Sequence, residues 1–146
     1  MNALVKITRG FLWAALCSFA ILLAACASMG GGNNVKVSLS GDQEVPPTTT
    51  SASGGGTITI AEDKSVSGSV TTTGVDGLAA HIHVGSAGKN GPVIIPLTKT
   101  ADNVWSVPAG AKLTDAQYDS FKAGDLYVNV HSAKYKGGEI RGQLKP

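Results

Sequence analysis

The sequence predicts an all-β domain, an antiparallel sandwich or barrel of about eight short strands with one short helix inserted. Apolar and polar residues alternate over short runs, as in Val35-Lys36-Val37-Ser38-Leu39 and Leu126-Tyr127-Val128-Asn129-Val130, which is the period of a half-buried strand. Clusters of Gly, Pro, Asn and Asp punctuate those runs, as expected of turns between strands. A single stretch, near residue 115, carries helix-start and helix-stop signals together.

The first 25 residues stand apart from this pattern. Lys6 and Arg9 occur without an acidic residue, and an apolar stretch of about 15 residues follows, Phe11 to Ala25. A membrane-spanning helix needs about 20 apolar residues, so the stretch suits the hydrophobic region of an export signal. It ends in Leu23-Ala24-Ala25-Cys26, which resembles the bacterial lipobox. That resemblance implies cleavage before Cys26, acylation of its sulfur and anchoring to a lipid bilayer, each buried methylene contributing about 0.8 kcal/mol. Ala27 rather than Asp follows, which implies an outer-membrane destination facing the periplasm where the host has two membranes. The expected organisation is a lipoprotein signal over residues 1–25, a Gly-rich tether over 26–34 and one β domain over 35–146.

Within that domain, strands are expected at Val35–Leu39, around Ile58 and Ile60, and from Val66 to Val70 after a turn at Glu62-Asp63-Lys64. Further strands are expected at Leu78–Val84, Val93–Leu97, Val104–Val107, Leu126–His131 and Glu139–Leu144. Thr114-Asp115-Ala116-Gln117 has the spacing of a capping box, Leu113 and Tyr118 that of a hydrophobic staple, and Gly124 sits where a helix commonly ends. A helix over about 115–123 follows, with Phe121 on its buried side. Pro46 and Pro47 rule out a continued strand, Thr48 to Gly56 reads as a mobile loop of small residues, and Asn90-Gly91 and Gly137-Gly138 read as turns. Trp105 joins Phe121 as expected core.

Charge and cysteine content exclude several functions. Lys6 and Arg9 are two of the twelve basic residues, so the mature portion carries ten charges of each sign. No basic stripe for nucleic acid is present. Cys17 leaves with the signal and Cys26 is committed to lipid, so no disulfide and no thiolate ligand is expected. No serine or cysteine lies beside an obvious base, which argues against hydrolase chemistry.

The three histidines carry what chemistry remains. In Ala80-His81-Ile82-His83-Val84 the imidazoles share one strand face at roughly 6.6 Å spacing, opposite the apolar residues. His131 stands on the polar side of its own strand in the same way. If the apolar faces form the core, all three histidines point outward and can converge on one metal ion. Imidazole suits copper, nickel and zinc, with affinity highest for Cu(II) in the divalent series. Such a ring is usually oriented by an acceptor on its second nitrogen, and Glu44 and Glu139 are the favoured candidates, with Asp42 or a backbone carbonyl as alternatives. Arg141 has the outward parity of Glu139 and Gln143 and is read either as an anion guide or as half of a structural pair with Glu44 or Glu139.

Leu39-Ser40-Gly41-Asp42-Gln43-Glu44-Val45-Pro46-Pro47, Ala80-His81-Ile82-His83-Val84-Gly85 with Asn90-Gly91-Pro92-Val93, and Tyr127-Val128-Asn129-Val130-His131-Ser132 with Gly137-Gly138-Glu139-Ile140-Arg141-Gly142-Gln143-Leu144 resemble the chordin-type (CHRD) domain. The resemblance runs from about Val35 to Leu144 and implies a domain of secreted proteins with no generally assigned activity. More distantly, the His-x-His strand, the late histidine and the Gly-Gly before an Arg-bearing strand are similar to copper-zinc superoxide dismutase. That likeness implies a Greek-key barrel and copper, and weak redox activity is the sole enzymatic reading it brings. The dismutase's zinc site and disulfide are excluded by the number of histidines and cysteines.

Two functions remain from sequence. One is an exported, lipid-anchored binding module with a three-histidine site for a copper ion, zinc being less favoured. The other is a structural or interaction module of the cell envelope, engaging another envelope protein, in which the histidines are a polar cluster.

Overall fold

The computed structural model describes residues 31–146. The expected export signal and the expected lipidation site at Cys26 lie outside the described residues. Nine strands are described: β1 (Gly32–Ser40), β2 (Ser53–Ala61), β3 (Val66–Thr73), β4 (Gly77–Val84), β5 (Val93–Pro96), β6 (Thr98–Ala101), β7 (Val104–Ser106), β8 (Leu126–Ser132) and β9 (Ile140–Leu144), with one α-helix, α1 (Asp115–Lys122), between β7 and β8. All pairings are antiparallel and form one sheet in the order β5-β4-β8-β9-β1-β2-β3-β7-β6.

That order makes the sheet a nearly closed barrel. Its two edge strands, β5 and β6, are consecutive in the chain and joined by Leu97 alone, so the sheet must curl until its edges meet. The curl leaves only two short edge strands, which limits the exposed edge that invites aggregation. The expected eight strands become nine because Thr98–Ala101 forms β6, whose residues are all exposed and carry no apolar alternation.

The apolar parity fills the interior. Val35, Val37, Leu39, Ile58, Ile60, Val70, Ile82, Val128, Val130, Ile140 and Leu144 are buried in one cluster, which Trp105 and Phe121 join. The helix forms as expected: Thr114 Oγ1 accepts from the Gln117 amide, and Gln117 Oε1 accepts from the Thr114 amide. Gly124, with φ +78°, ends it in the left-handed conformation.

Two expectations about loops are corrected. Gly32, Asn33 and Asn34, expected in the tether, extend β1 and pair with Ala61, Ile60 and Thr59. The run expected as one mobile loop, Thr48–Gly56, is ordered at both ends. Ser53–Gly56 begin β2, where a Cβ at Gly56 would strike β3 backbone and one at Gly54 would crowd the Leu39 side chain. Thr48 Oγ1 donates to the Glu139 carbonyl at 2.6 Å, Thr50 Oγ1 to Glu139 Oε1 at 2.7 Å, and Tyr135 Oη to the Thr49 carbonyl at 2.7 Å.

Those bonds lay the segment between β1 and β2 across the outer face of β8 and β9. A 3-10 turn, Gly41–Gln43, starts the excursion. The loop between β4 and β5 meets it where Asn90 Nδ2 donates to the Val45 carbonyl at 2.7 Å. As a result Leu126, Tyr127, Val128, Asn129 and Val130 are all buried, on both faces of β8. The polar face of this strand is covered by a second layer rather than by solvent.

Candidate metal centre

β4 and β8 pair directly, with His81 opposite Asn129, His83 opposite Tyr127 and Ala79 opposite His131. This register puts all three histidines on one face. Their ring nitrogens, one from each residue, lie within 4.8 Å of one another. A tetrahedral site with bonds of 2.0–2.1 Å spaces its donors by roughly 3.3 Å, so modest ring rotations bring the set to bonding geometry. His81 Nδ1 and His131 Nε2 are already 3.0 Å apart.

The second ring nitrogens fix the tautomers. His83 Nδ1 lies 2.9 Å from the Gly91 carbonyl and His131 Nδ1 2.9 Å from the Lys136 carbonyl. A carbonyl oxygen only accepts, so each Nδ1 carries the proton and each neutral ring presents an Nε2 lone pair. His131 Nε2 then accepts from His81 Nδ1. His83 Nε2 is buried and has no hydrogen-bond partner. The orienting acceptors are thus two backbone carbonyls, supplied by the β4–β5 loop and by the loop preceding β9.

Glu44 and Glu139, the favoured candidates for that role, have other work. Glu44 Oε1 accepts from Asn129 Nδ2 at 2.7 Å. Glu139 Oε1 accepts from Thr50, clamping the covering segment. Both lie in the motif segments that singled them out, and those segments meet over β8 and β9. The sequence could not tell which acceptor each donor would find.

Arg141 departs further from expectation. It keeps the outward parity, opposite Asn129, but is 1% exposed and so does not reach solvent as an anion guide. Its guanidinium donates to the Ser86 carbonyl, Asn90 Oδ1 and Gln143 Oε1, and it lies 3.4 Å over the centre of the Tyr127 ring. It forms no ion pair with Glu44 or Glu139; the ion pairs among the described residues are Lys64–Asp115 and Lys122–Asp119. The covering loops that bury β8 also bury this end of β9.

Tyr127 is an alternating strand position by sequence, and in the structure it sits between Arg141 and His83. Its ring stacks on the imidazole at 4.7 Å and within 7° of parallel. Its hydroxyl accepts from the Gly91 amide at 3.1 Å. Tyr127 and Gly91 therefore hold His83 by its face and by its Nδ1.

The electrostatics favour neutral rings. Burial holds the pKa of His83 below the ordinary histidine value, partly opposed by its bond to Gly91, with His131 and Arg141 depressing it further. Burial likewise lowers that of His81, helped by His131 and His83. Neutral imidazole is the form that binds a metal. Glu44 is pushed up to about 7 by burial, which outweighs the opposing pull of Arg141 and Asn129. His81 and His131 are partly exposed while His83 is 8% exposed, so the cluster is reached from the side of the first two.

The CHRD domain model matches residues 35–144. The chain belongs to the CHRD domain family. The match spans both histidine-bearing strands, the covering segment with Glu44 and the closing strand with Arg141. Comparisons with curated proteins and with solved structures give no match. As a CHRD domain, this barrel suggests a binding module, and the three-histidine cluster is its most distinctive chemical feature.

Proposed function

We propose that this protein is an exported, lipid-anchored CHRD module that binds one copper ion through His81, His83 and His131. The observation that carries the reading is the convergence of three imidazoles, one of which holds a buried Nε2 with no hydrogen-bond partner. A buried acceptor without a donor is costly. A metal ion at that spot removes the cost and replaces the His81–His131 hydrogen bond. A nitrogen-rich site favours Cu(II) over Zn(II). The anchoring reading rests on Leu23-Ala24-Ala25-Cys26 behind an apolar stretch. Among the described residues no helix is long and apolar enough to cross a membrane.

The His81–His131 hydrogen bond also supports a second reading, in which the histidines are a self-satisfied polar cluster of an envelope interaction module. Metal content of the protein purified from its own membrane fraction separates the two. One copper per chain is expected, and metal-free protein from copper-replete cells supports the interaction module. Replacing Cys26 with Ser is expected to release the protein from the membrane fraction, and unchanged partitioning would contradict lipid anchoring.

A further inference from the structure

Among the described residues two buried side-chain polar atoms have no hydrogen-bond partner: His83 Nε2 and Asn129 Oδ1. Both belong to the same sheet face. Asn129 is directly opposite His81 in the β4–β8 register and two residues before His131, so its side chain shares the face of the three histidines. Directly opposed residues in an antiparallel pair have Cβ atoms about 4.5–5.5 Å apart.

The carboxamide has a fixed orientation. Its Nδ2 donates to Glu44 Oε1 at 2.7 Å, so the nitrogen end faces Glu44. Glu44 enters from the β9 side. It follows the 3-10 turn that packs on β9, and the charge acting on it is that of Arg141, which is Asn129's register partner on β9. The oxygen end therefore points away from Glu44, on the face that Asn129 shares with the three histidines. Gly138 closes the arrangement from behind, since a Cβ there would collide with Asn129 Nδ2 and the Glu44 carboxylate. A 2% exposed side chain thus holds an oxygen lone pair beside three imidazoles.

We propose that Asn129 Oδ1 is the fourth donor of the metal site, held in place by Glu44, and that the complete set is three nitrogens and one neutral oxygen. This rests on the three-histidine reading. It adds a selectivity: a carbonyl oxygen is a hard ligand, so the set favours Cu(II) over Cu(I).

The test follows Zn(II), a diamagnetic probe, titrated into the 15N-labelled full chain while the side-chain amide of Asn129 is observed by NMR. The Asn129 resonances are expected to move in step with the histidine resonances and to saturate at one equivalent. Histidine shifts with a motionless Asn129 amide would overturn the proposal, leaving the oxygen satisfied by water, while sparing the three-histidine site. In parallel, Asn129→Leu is expected to weaken Cu(II) binding at least about tenfold and to change the Cu(II) EPR spectrum, with Asn129→Asp restoring affinity. Unchanged affinity and spectrum in the Leu variant would overturn it too. If the Leu variant does not fold, the wild-type NMR titration decides. Absence of metal binding by the wild type would remove both this proposal and the site it rests on.

Discussion

The imidazole of His83 lies face to face with the phenol ring of Tyr127, centroids 4.7 Å apart and planes within 7°, and the guanidinium of Arg141 covers the opposite face of the same phenol. The three side chains come from three adjacent strands and form one stack. Replacing Tyr127 with Leu removes both faces of that contact at a 2% exposed position. The expected loss of stability is about 2–4 kcal/mol, read from urea unfolding. A loss under about 1 kcal/mol would mean the stack does not hold the covering layer together.

Glu44 gives the folded protein a pH dependence of known sign. Burial raises its pKa to about 7 from an ordinary 4.5, so the folded state holds the proton more tightly than the unfolded chain. Its stabilising contribution is full below about pH 4.5 and is lost as pH rises through 7. The Glu44→Gln variant keeps an acceptor for Asn129 and cannot ionise. It is expected to exceed the wild type by up to about 3 kcal/mol at pH 8, with the difference shrinking toward pH 4.5. Parallel stability curves for the two proteins would contradict this assignment.

His81 and His83 act in the opposite direction. Burial lowers both pKa values from 6.5, so their contribution is present above pH 6.5 and is lost as pH falls through the lowered folded-state values. Metal-free protein is therefore expected to lose stability below about pH 6.5. A His83→Phe variant, which keeps a ring against Tyr127, is expected to lose less. Thermal melting of the two proteins between pH 5 and 7 reads the difference, and an equal loss in both would rule out protonation of His83 as a contributor.

Much of the barrel was legible in the sequence because its strands obey a period of two. Val35, Val37 and Leu39, or Leu126, Val128 and Val130, define an inner face without further information. The helix was legible because Thr114, Gln117, Leu113 and Tyr118 each carry a local signal. Strand β6 was not, since Thr98–Ala101 buries nothing and is defined by its neighbour alone. The same distinction governs the site. His81, His83 and His131 were identified by parity, and the structure brings them together. The burial of Arg141, the stacking of Tyr127 and the true partners of Glu44 and Glu139 depend on the Gly41–Thr50 excursion folding over β8 and β9. That is a long-range event with no periodic signature.

Gly138 tests how tightly this second layer is built. Its φ of +133° is one that side chains rarely adopt, and a Cβ there would meet Asn129 and Glu44. Gly138→Ala is expected to cost at least about 2 kcal/mol, measured by chemical unfolding. A neutral outcome would show that the Glu44–Asn129 pair has room to move.

Equilibrium titration of the purified protein with Cu(II), wild type beside His83→Ala, tests the central claim most directly. The wild type is expected to bind one ion per chain, with affinity falling as pH drops below about 6, and the variant to lose most of that affinity while keeping its fold by circular dichroism. Copper binding of equal strength in the folded variant, or none in the wild type, would contradict a metal site built on the three histidines.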